Sequence, residues 1–431
     1  MYFFRLVLCI LGKHLSKYKG GLFMDLHNGK LYWPTTFVKP GHTNPAKKEH
    51  YDVVIIGAGM SGMLTANALM KEGLSVAILE RNEIASGSTS ANTGLLQYSN
   101  DIMLHELAEQ IGEQDAVRFY TLCYEALETL DKIAAILPDK ADFIRRPSIC
   151  FASKKSDVKK LHAEFEMLHR HGFPVEFWND IIVKNRLPFE APAALYTMND
   201  AEINPLKFVV YLAEQLKSQG VHIFENTFGN IIEEEGTQQI IKTMHGDLKT
   251  SRIVYTTGYD RLPYGKMKGA NINRSYAIVT EQNPRFKGWY EKALIWETAR
   301  PYLYLRTTVD NRIIIGGLDE NRAHPAKDEE KMDTMAKALL EKLQGLIPNG
   351  QFHAPYSYSA SFGESYDNLP FIGQHPEEKS HYYLLGYGGN GTVYSMLGAE
   401  ILADLIMGRA NDDARLVTLD RKYGLKMKMD V

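Results

Sequence analysis

Gly57-Ala58-Gly59-Met60-Ser61-Gly62 is the segment whose residue types and spacing bear most directly on chemistry. In a G-x-G-x-x-G run the first glycine makes a tight turn and the second lets a pyrophosphate approach the backbone. The third lets a helix pack closely on a strand, and that helix offers its free N–H groups to the phosphates. Glu80 follows about 20 positions later, where a carboxylate can accept hydrogen bonds from ribose hydroxyls. Ala85-Ser86-Gly87-Ser88-Thr89-Ser90-Ala91-Asn92-Thr93-Gly94 is a run of small hydrogen-bonding residues. It can pass beneath a large planar ligand without clash, or form a plain surface loop. Near the C-terminus, Gly386-Tyr387-Gly388-Gly389-Asn390-Gly391 spells G-x-G-x-x-G again. Tyr302, Tyr304 and Arg306 fall at i, i+2, i+4 and would share one strand face. Two phenols and a guanidinium there either line a polar pocket or stand half exposed with Arg306 in solvent.

The elements needed to position these residues are legible around them. Tyr51–Ile56 (YDVVII) is a short apolar run of the kind that forms a buried parallel strand. Met63, Ala66 and Met70 recur at helical spacing up to Gly73, which suits a helix C-cap, and Ser75–Leu79 is a second strand ending at Glu80. Strand, glycine turn, helix, second strand and terminal acid in register read as a Rossmann-type opening for an adenine dinucleotide. The later glycine run follows the strand HYYLL and precedes a helix with Val393, Leu397, Ile401 and Leu405 at four-residue spacing. No second strand ending in an acid follows it, so it reads as a ligand-contacting turn and not as a second complete nucleotide site.

Composition narrows the function classes. The 431 residues suit two domains, and 49 basic against 52 acidic residues leave a net charge of -3. That balance gives no footprint for nucleic acid or an anionic membrane. Cys9, Cys123 and Cys150 form neither a disulfide framework nor a metal motif, and point to a reducing, cytoplasmic setting. The histidines show no HExxH or Cys/His spacing, so no metal site is expected, and no G-x-S-x-G elbow exists. Lys159, Lys160, Glu164 and Glu166 read as a solvated helix face. The apolar run Tyr2–Leu11 is shorter than the roughly 20 residues a spanning helix needs, so no stable membrane insertion is expected. Residues 1–23 read as dispensable before Met24, and residues 34–50 as a linker.

With these motifs in place, the chain resembles the D-amino-acid oxidase, glycine oxidase and sarcosine oxidase superfamily. Arg145–Ala152, Asp200–Thr227, Ile253–Asp260, Tyr302–Glu320, Asp367–Gly373 and Gly386–Ile406 resemble successive segments of that family in the expected order. The resemblance implies an α/β fold: a Rossmann-type FAD-binding domain with an inserted, mainly antiparallel β-sheet substrate domain. It implies an extension and linker over 1–49, FAD-binding segments at 50–142, 199–272 and 356–431, and substrate segments at 143–198 and 273–355. The residues it assigns to FAD are Gly57 through Gly62, Glu80, Arg81, Ser88, Thr89, Ser90, Asn92, Thr93, Gly94, Gly258, Gly388, Gly389, Asn390, Gly391 and Thr392. The activity it implies is oxidation of a C–N bond in a small amine or amino-acid-like substrate by hydride transfer to flavin. Oxygen or an electron carrier then reoxidises the flavin.

The substrate side departs from the family pattern. Tyr356, Tyr358, Ala360 and Phe362 alternate before Asp367-Asn368-Leu369-Pro370. Glycine-oxidase-like members carry a carboxylate-clamping arginine five residues before this aspartate, where this chain has Phe362. They carry another just before the closing Asn-Gly, where this chain has Gly389. Tyr304, Arg306, Tyr358 and Phe362 are therefore the candidates at the substrate, with Arg306 the available replacement clamp for a small amino acid. Sarcosine-oxidase-like members bind flavin through a C-terminal cysteine; all three cysteines here lie far upstream, so FAD is expected to be noncovalent. A flavin-binding protein with little turnover is the competing class.

Overall fold

The computed structural model describes residues 25–229, 231–260, 269–283 and 289–421. The expectation for residues 1–23 lies outside the described residues. Tyr51, Val53, Val54 and Ile55 are all fully buried, so the strand His50–Ile56 is covered on both faces, as parallel strands require. It sits inside a sheet ordered Phe371–Gln374, His381–Leu385, Leu248–Tyr255, His50–Ile56, Val76–Leu79, His222–Phe224. Every neighbouring pair is parallel except the first. Two antiparallel strands, Ile231–Glu235 and Gln238–Lys242, extend from Leu248–Tyr255.

The helix Met60–Lys71 follows the first strand and is apolar on more than one side, with Met63, Leu64, Ala66 and Leu69 all buried. Such a helix needs cover beyond the sheet. Helix Gly391–Ile406, with Val393, Leu397 and Ile401 buried, supplies it. The hydroxyls of Ser61 and Ser395 meet at 2.7 Å, which locks the first turns of the two glycine-led helices together.

A second sheet is ordered His27–Gly29, Tyr356–Ser365, Ala270–Val279, Ile313–Glu320, Tyr304–Thr307, Leu294–Glu297, Ile144–Phe151, Ala193–Glu202, Leu95–Leu96. Only the pair Leu294–Glu297 and Ile144–Phe151 is parallel. This sheet moves the boundaries expected from sequence. Tyr356–Ser365 belongs to it and not to the nucleotide sheet, and the expected breaks at 198/199 and 272/273 fall inside strands. A segmental resemblance marks where motifs change, whereas a strand continues until its ladder ends.

The described start of the 1–49 extension packs on the second sheet, and one further expectation is corrected. His27–Gly29 pairs with the sheet edge, and Tyr32 and Trp33 are 5% and 4% exposed. A three-residue edge strand carries too little periodicity to be read from sequence. Glu164 is not on a solvated face: it is 3% exposed, accepting the backbone N–H groups of Leu104 (2.8 Å) and His105 (3.0 Å). A carboxylate there satisfies free donors at the start of helix Leu104–Ile111.

The chain is fastened near its end by a buried ion pair. Arg421 donates to Asp367 through Nε (2.7 Å) and Nη2 (2.8 Å), and to the carbonyls of Leu369 and Pro370. Both side chains are almost wholly buried. Asp367→Ala would leave an uncompensated guanidinium inside, a loss of about 3–5 kcal/mol. Chemical denaturation followed by circular dichroism should show that loss; a change below about 1 kcal/mol would contradict it.

Candidate active site

Gly57 turns the chain out of the first strand at φ +112°, a conformation open to glycine. A Cβ on Gly62 would overlap the Gly57 carbonyl oxygen, so only glycine lets helix Met60–Lys71 start this close to the strand. Glu80 accepts the N–H of Ala58 at 2.9 Å and that of Asn82 at 2.8 Å. Burial pushes its carboxyl pKa up, with these two bonds opposing the shift. No side chain caps helix Met60–Lys71, although Thr89 Oγ1 accepts the N–H of Met60 at 3.2 Å. Arg81 is ion-paired with Asp260.

Beside this loop lies an open cleft between the two sheets. One wall is Ser88, Asn92, Thr93, Tyr259 and the turn Gly388–Gly391. The facing wall is Ser275, Trp296, Tyr302, Tyr304, Asp319 and Phe362 from the second sheet. Gln97, Ser99, Asn100 and Asp101 close one side. Gly391, the first residue of helix Gly391–Ile406, faces this space, and its N-cap Asn390 makes no side-chain capping bond to the helix. The positive end of that helix is thus available to negative charge in the cleft.

Of the residues singled out for FAD, seven line the cleft: Ser88, Asn92, Thr93, Gly388, Gly389, Asn390 and Gly391. The 57–62 loop is joined to it through Met60–Thr89 and Ser61–Ser395. Thr392 Oγ1 accepts a bond from Asn92 at 3.3 Å, and Ser90 donates to the Ala85 carbonyl. Gly258, at φ +60°, precedes the lining residue Tyr259.

Of the four substrate candidates, Tyr304 and Phe362 line the cleft, and Arg306 and Tyr358 do not. Arg306 is neither solvated nor a clamp: it is 2% exposed. Its Nε donates to the Thr93 carbonyl (2.7 Å), Nη2 to the Ile203 carbonyl (2.7 Å) and Nη1 to the Thr307 carbonyl (3.1 Å). Buried Glu202 lies 3.7 Å from Nη1, and the Trp33 ring covers the guanidinium at 5.2 Å. Gly94 belongs to the same device, since a Cβ there would stand 2.6 Å from Nη2. Arg306 therefore pins the small-residue run against the second sheet. Tyr358, 3% exposed, is a core residue.

Sequence reasoning passed over the acidic side of the cleft. Asp101 accepts the Tyr302 hydroxyl at 2.9 Å and the Gly389 N–H at 2.7 Å. A Cβ on Gly389 would sit 2.8–2.9 Å from both Asp101 carboxylate oxygens, so this glycine is what admits the aspartate. Asp319 reaches the cleft through a β-bulge, because Arg274 opposes Glu320 while Tyr276 opposes Gly317. Bulges re-aim side chains in this way. The Gly316-Gly317 pair before Asp319 was the available signal. Asp101 sits in an unpatterned loop and gave none.

The cleft fits FAD by its own chemistry. Ser88 Oγ and Gln97 Nε2 are buried on its lining without a hydrogen-bond partner, and both would be satisfied by a polar ring edge. Among the described residues, no cluster of three His, Cys, Asp or Glu could hold a metal ion. No helix there is long and apolar enough to cross a membrane.

Comparison with known proteins agrees with this geometry. The profile of a family described as "FAD dependent oxidoreductase" matches residues 52–405. A "Putative Rieske 2Fe-2S iron-sulfur protein" of Bacillus subtilis (strain 168) is 24% identical over 91% of this chain and 75% of its own length. "Gamma-glutamylputrescine oxidoreductase" of Escherichia coli (strain K12) is 23% identical, covering 83% of this chain and 84% of that protein. The crystal structure of glycine oxidase from Geobacillus kaustophilus superposes with a TM-score of 0.72 at 20% identity, over 87% of this chain and 99% of that one.

Arg306→Ala should release the 92–94 run, strip the Thr93 and Ile203 carbonyls of their donors and leave Glu202 paired with Arg146 alone, lowering stability by about 2–4 kcal/mol. Flavin retention on gel filtration should fall with it, while preference among the substrates that still react stays unchanged. A variant that keeps flavin and stability but loses amino-acid substrates would restore the clamp role.

Proposed function

Because this chain belongs to the FAD dependent oxidoreductase family, we propose that it oxidises a C–N bond in a small amine and accepts simple amino acids poorly. Bound FAD supplies the hydride acceptor. The substrate carbon gives up its hydride and the nitrogen its proton. The imine so formed takes up water to give a carbonyl compound and the released amine or ammonia. Oxygen or an electron carrier then takes the electrons.

The contribution of this chain is orientation, exclusion of water and electrostatics. Trp296, Tyr304 and Phe362 supply an apolar, aromatic surface on the substrate side. The first turn of helix Gly391–Ile406 stabilises negative charge that builds on the opposite side. One observation carries the choice of amine over amino acid. Among the described residues lining the cleft there is no Lys, Arg or His, while Asp101 and Asp319 are present. A carboxylate entering such a cleft would lose its hydration without gaining a cationic partner, at several kcal/mol. Phe362 and Gly389, where related glycine oxidases are expected to clamp a carboxylate, fit the same reading.

Purified protein should be yellow, and acid precipitation should release the colour into the supernatant as FAD. Anaerobic titration should then bleach the flavin with simple alkylamines or N-methylated amines at concentrations roughly 10-fold or more below any glycine effect. Colour retained in the pellet would contradict noncovalent attachment. Efficient bleaching by glycine or alanine would overturn the amine preference.

A further inference from the structure

Asp319 is aimed into the cleft by the bulge opposite Ser275, and its Oδ1 atom is buried without a hydrogen-bond partner. Burial pushes its carboxyl pKa up to about 6, opposed by a bond from Ser275, with the charge of Asp101 adding a smaller push and that of Arg300 opposing it. Glu364, on the neighbouring strand, is pushed up to about 7 by burial first and then by Asp101 and Asp319. Asp101 and Asp319 line the cleft, and Glu364, hydrogen-bonded to Asn273 outside that lining, feels both charges. Arg300 is the cation that acts on them, and it is exposed, donating to the Asp101 carbonyl and stacked 4.7 Å over the Tyr302 ring. Asp101 already holds Tyr302 and the Gly389 N–H. Asp319 is the lining acid with an unmet acceptor.

Resting on the amine-oxidation reading above, we propose that Asp319 determines specificity by holding a second ammonium group of the substrate. The preferred substrate is then an α,ω-diamine, or another amine with a distal cationic centre. The nitrogen being oxidised cannot be what Asp319 holds. Hydride leaves the carbon only when that nitrogen is deprotonated, and a neighbouring carboxylate favours its protonated form. A carboxyl group with a pKa near 6 is also a poor base for an alkylammonium, whose proton is held far more tightly. A distal ammonium has neither difficulty. It neutralises the crowded acids, fills the unmet acceptor of Asp319 and leaves the reacting amine free of charge. Its held position also fixes how far along the chain the oxidised carbon lies.

The test compares α,ω-diaminoalkanes with n-alkylamines of the same chain length on the holoenzyme, in wild type and Asp319→Asn. Asparagine keeps the size and the polar contact to Ser275 while removing the charge. Flavin bleaching under anaerobic conditions gives the KM and the reduction rate. Calorimetric binding to dithionite-reduced enzyme, in which no turnover occurs, gives affinity independently. Diamines should bind roughly 10-fold or more tightly than monoamines, and Asp319→Asn should abolish that advantage, weakening diamine binding roughly 10-fold more than monoamine binding. Equal affinity for the two series in wild type would overturn the proposal. So would an equal loss of both series in Asp319→Asn, which would identify a base or a structural prop instead. Should neither series bleach the flavin while amino acids do, the amine reading itself falls, and this proposal with it.

Discussion

The buried guanidinium of Arg306 is the interaction on which the working geometry depends. It rises from the second sheet and takes hydrogen-bond acceptors from two stretches outside its own strand: the Thr93 carbonyl in the small-residue run, and the Ile203 carbonyl before the helix Pro205–Ser218. A cleft between two sheets holds a constant width only if something fixes the segments between them. Guanidinium geometry suits that task, because a rigid planar fork can satisfy several carbonyls at set angles where a lysine would offer one mobile point charge. Burying the charge is expensive, and the nearby Glu202, itself shared with Arg146 at 3.2 Å, keeps the expense tolerable. Gly94 gives it room and Trp33 covers it, so three remote pieces of chain converge on one side chain.

Once the cleft is held in this way, its electrostatics are polarised, with Asp101 bridging the two sides where it takes the Gly389 N–H. One end is formed by glycine turns and a helix N-terminus, which favour negative charge, as a pyrophosphate and a reduced flavin require. The facing wall carries Asp319, with Glu364 near it outside the lining, and these favour positive charge. Aromatic side chains share the wall with Asp319.

The nucleotide half was legible in the sequence because its requirements are local. A tight turn and a close helix each demand one residue type at one spacing, so the structural tasks of Gly57 and Gly62 could be read directly. The order of later segments was legible too, since Ile144–Phe151, Pro205–Ser218, Leu248–Tyr255 and Gly391–Ile406 lie where the motifs placed them. The substrate half resisted because its determinants are tertiary. Nothing near Arg306 reveals that its partners are carbonyls more than 100 positions away, and alternation along Tyr302–Arg306 fixes a face without saying what that face meets. Asp101 gains its meaning only where Gly389 comes against it.

That last contact bears on how such a site changes its substrate. A side chain at position 389 and a carboxylate at position 101 compete for the same space, since even a Cβ would come within 3 Å of Asp101. The site can therefore carry an arginine at 389, pointing a cation at the ligand, or an aspartate at 101, but not both without moving a loop. In this chain the aspartate also takes the Gly389 N–H and the Tyr302 hydroxyl, so it ties the flavin-side turn to the substrate-side hairpin. Restoring a carboxylate clamp by Gly389→Arg alone would displace that tie and leave the Asp101 charge beside the new cation, where the two would pair with each other before either met a substrate. The absence of an arginine at 389 is thus a consequence of packing as well as of charge.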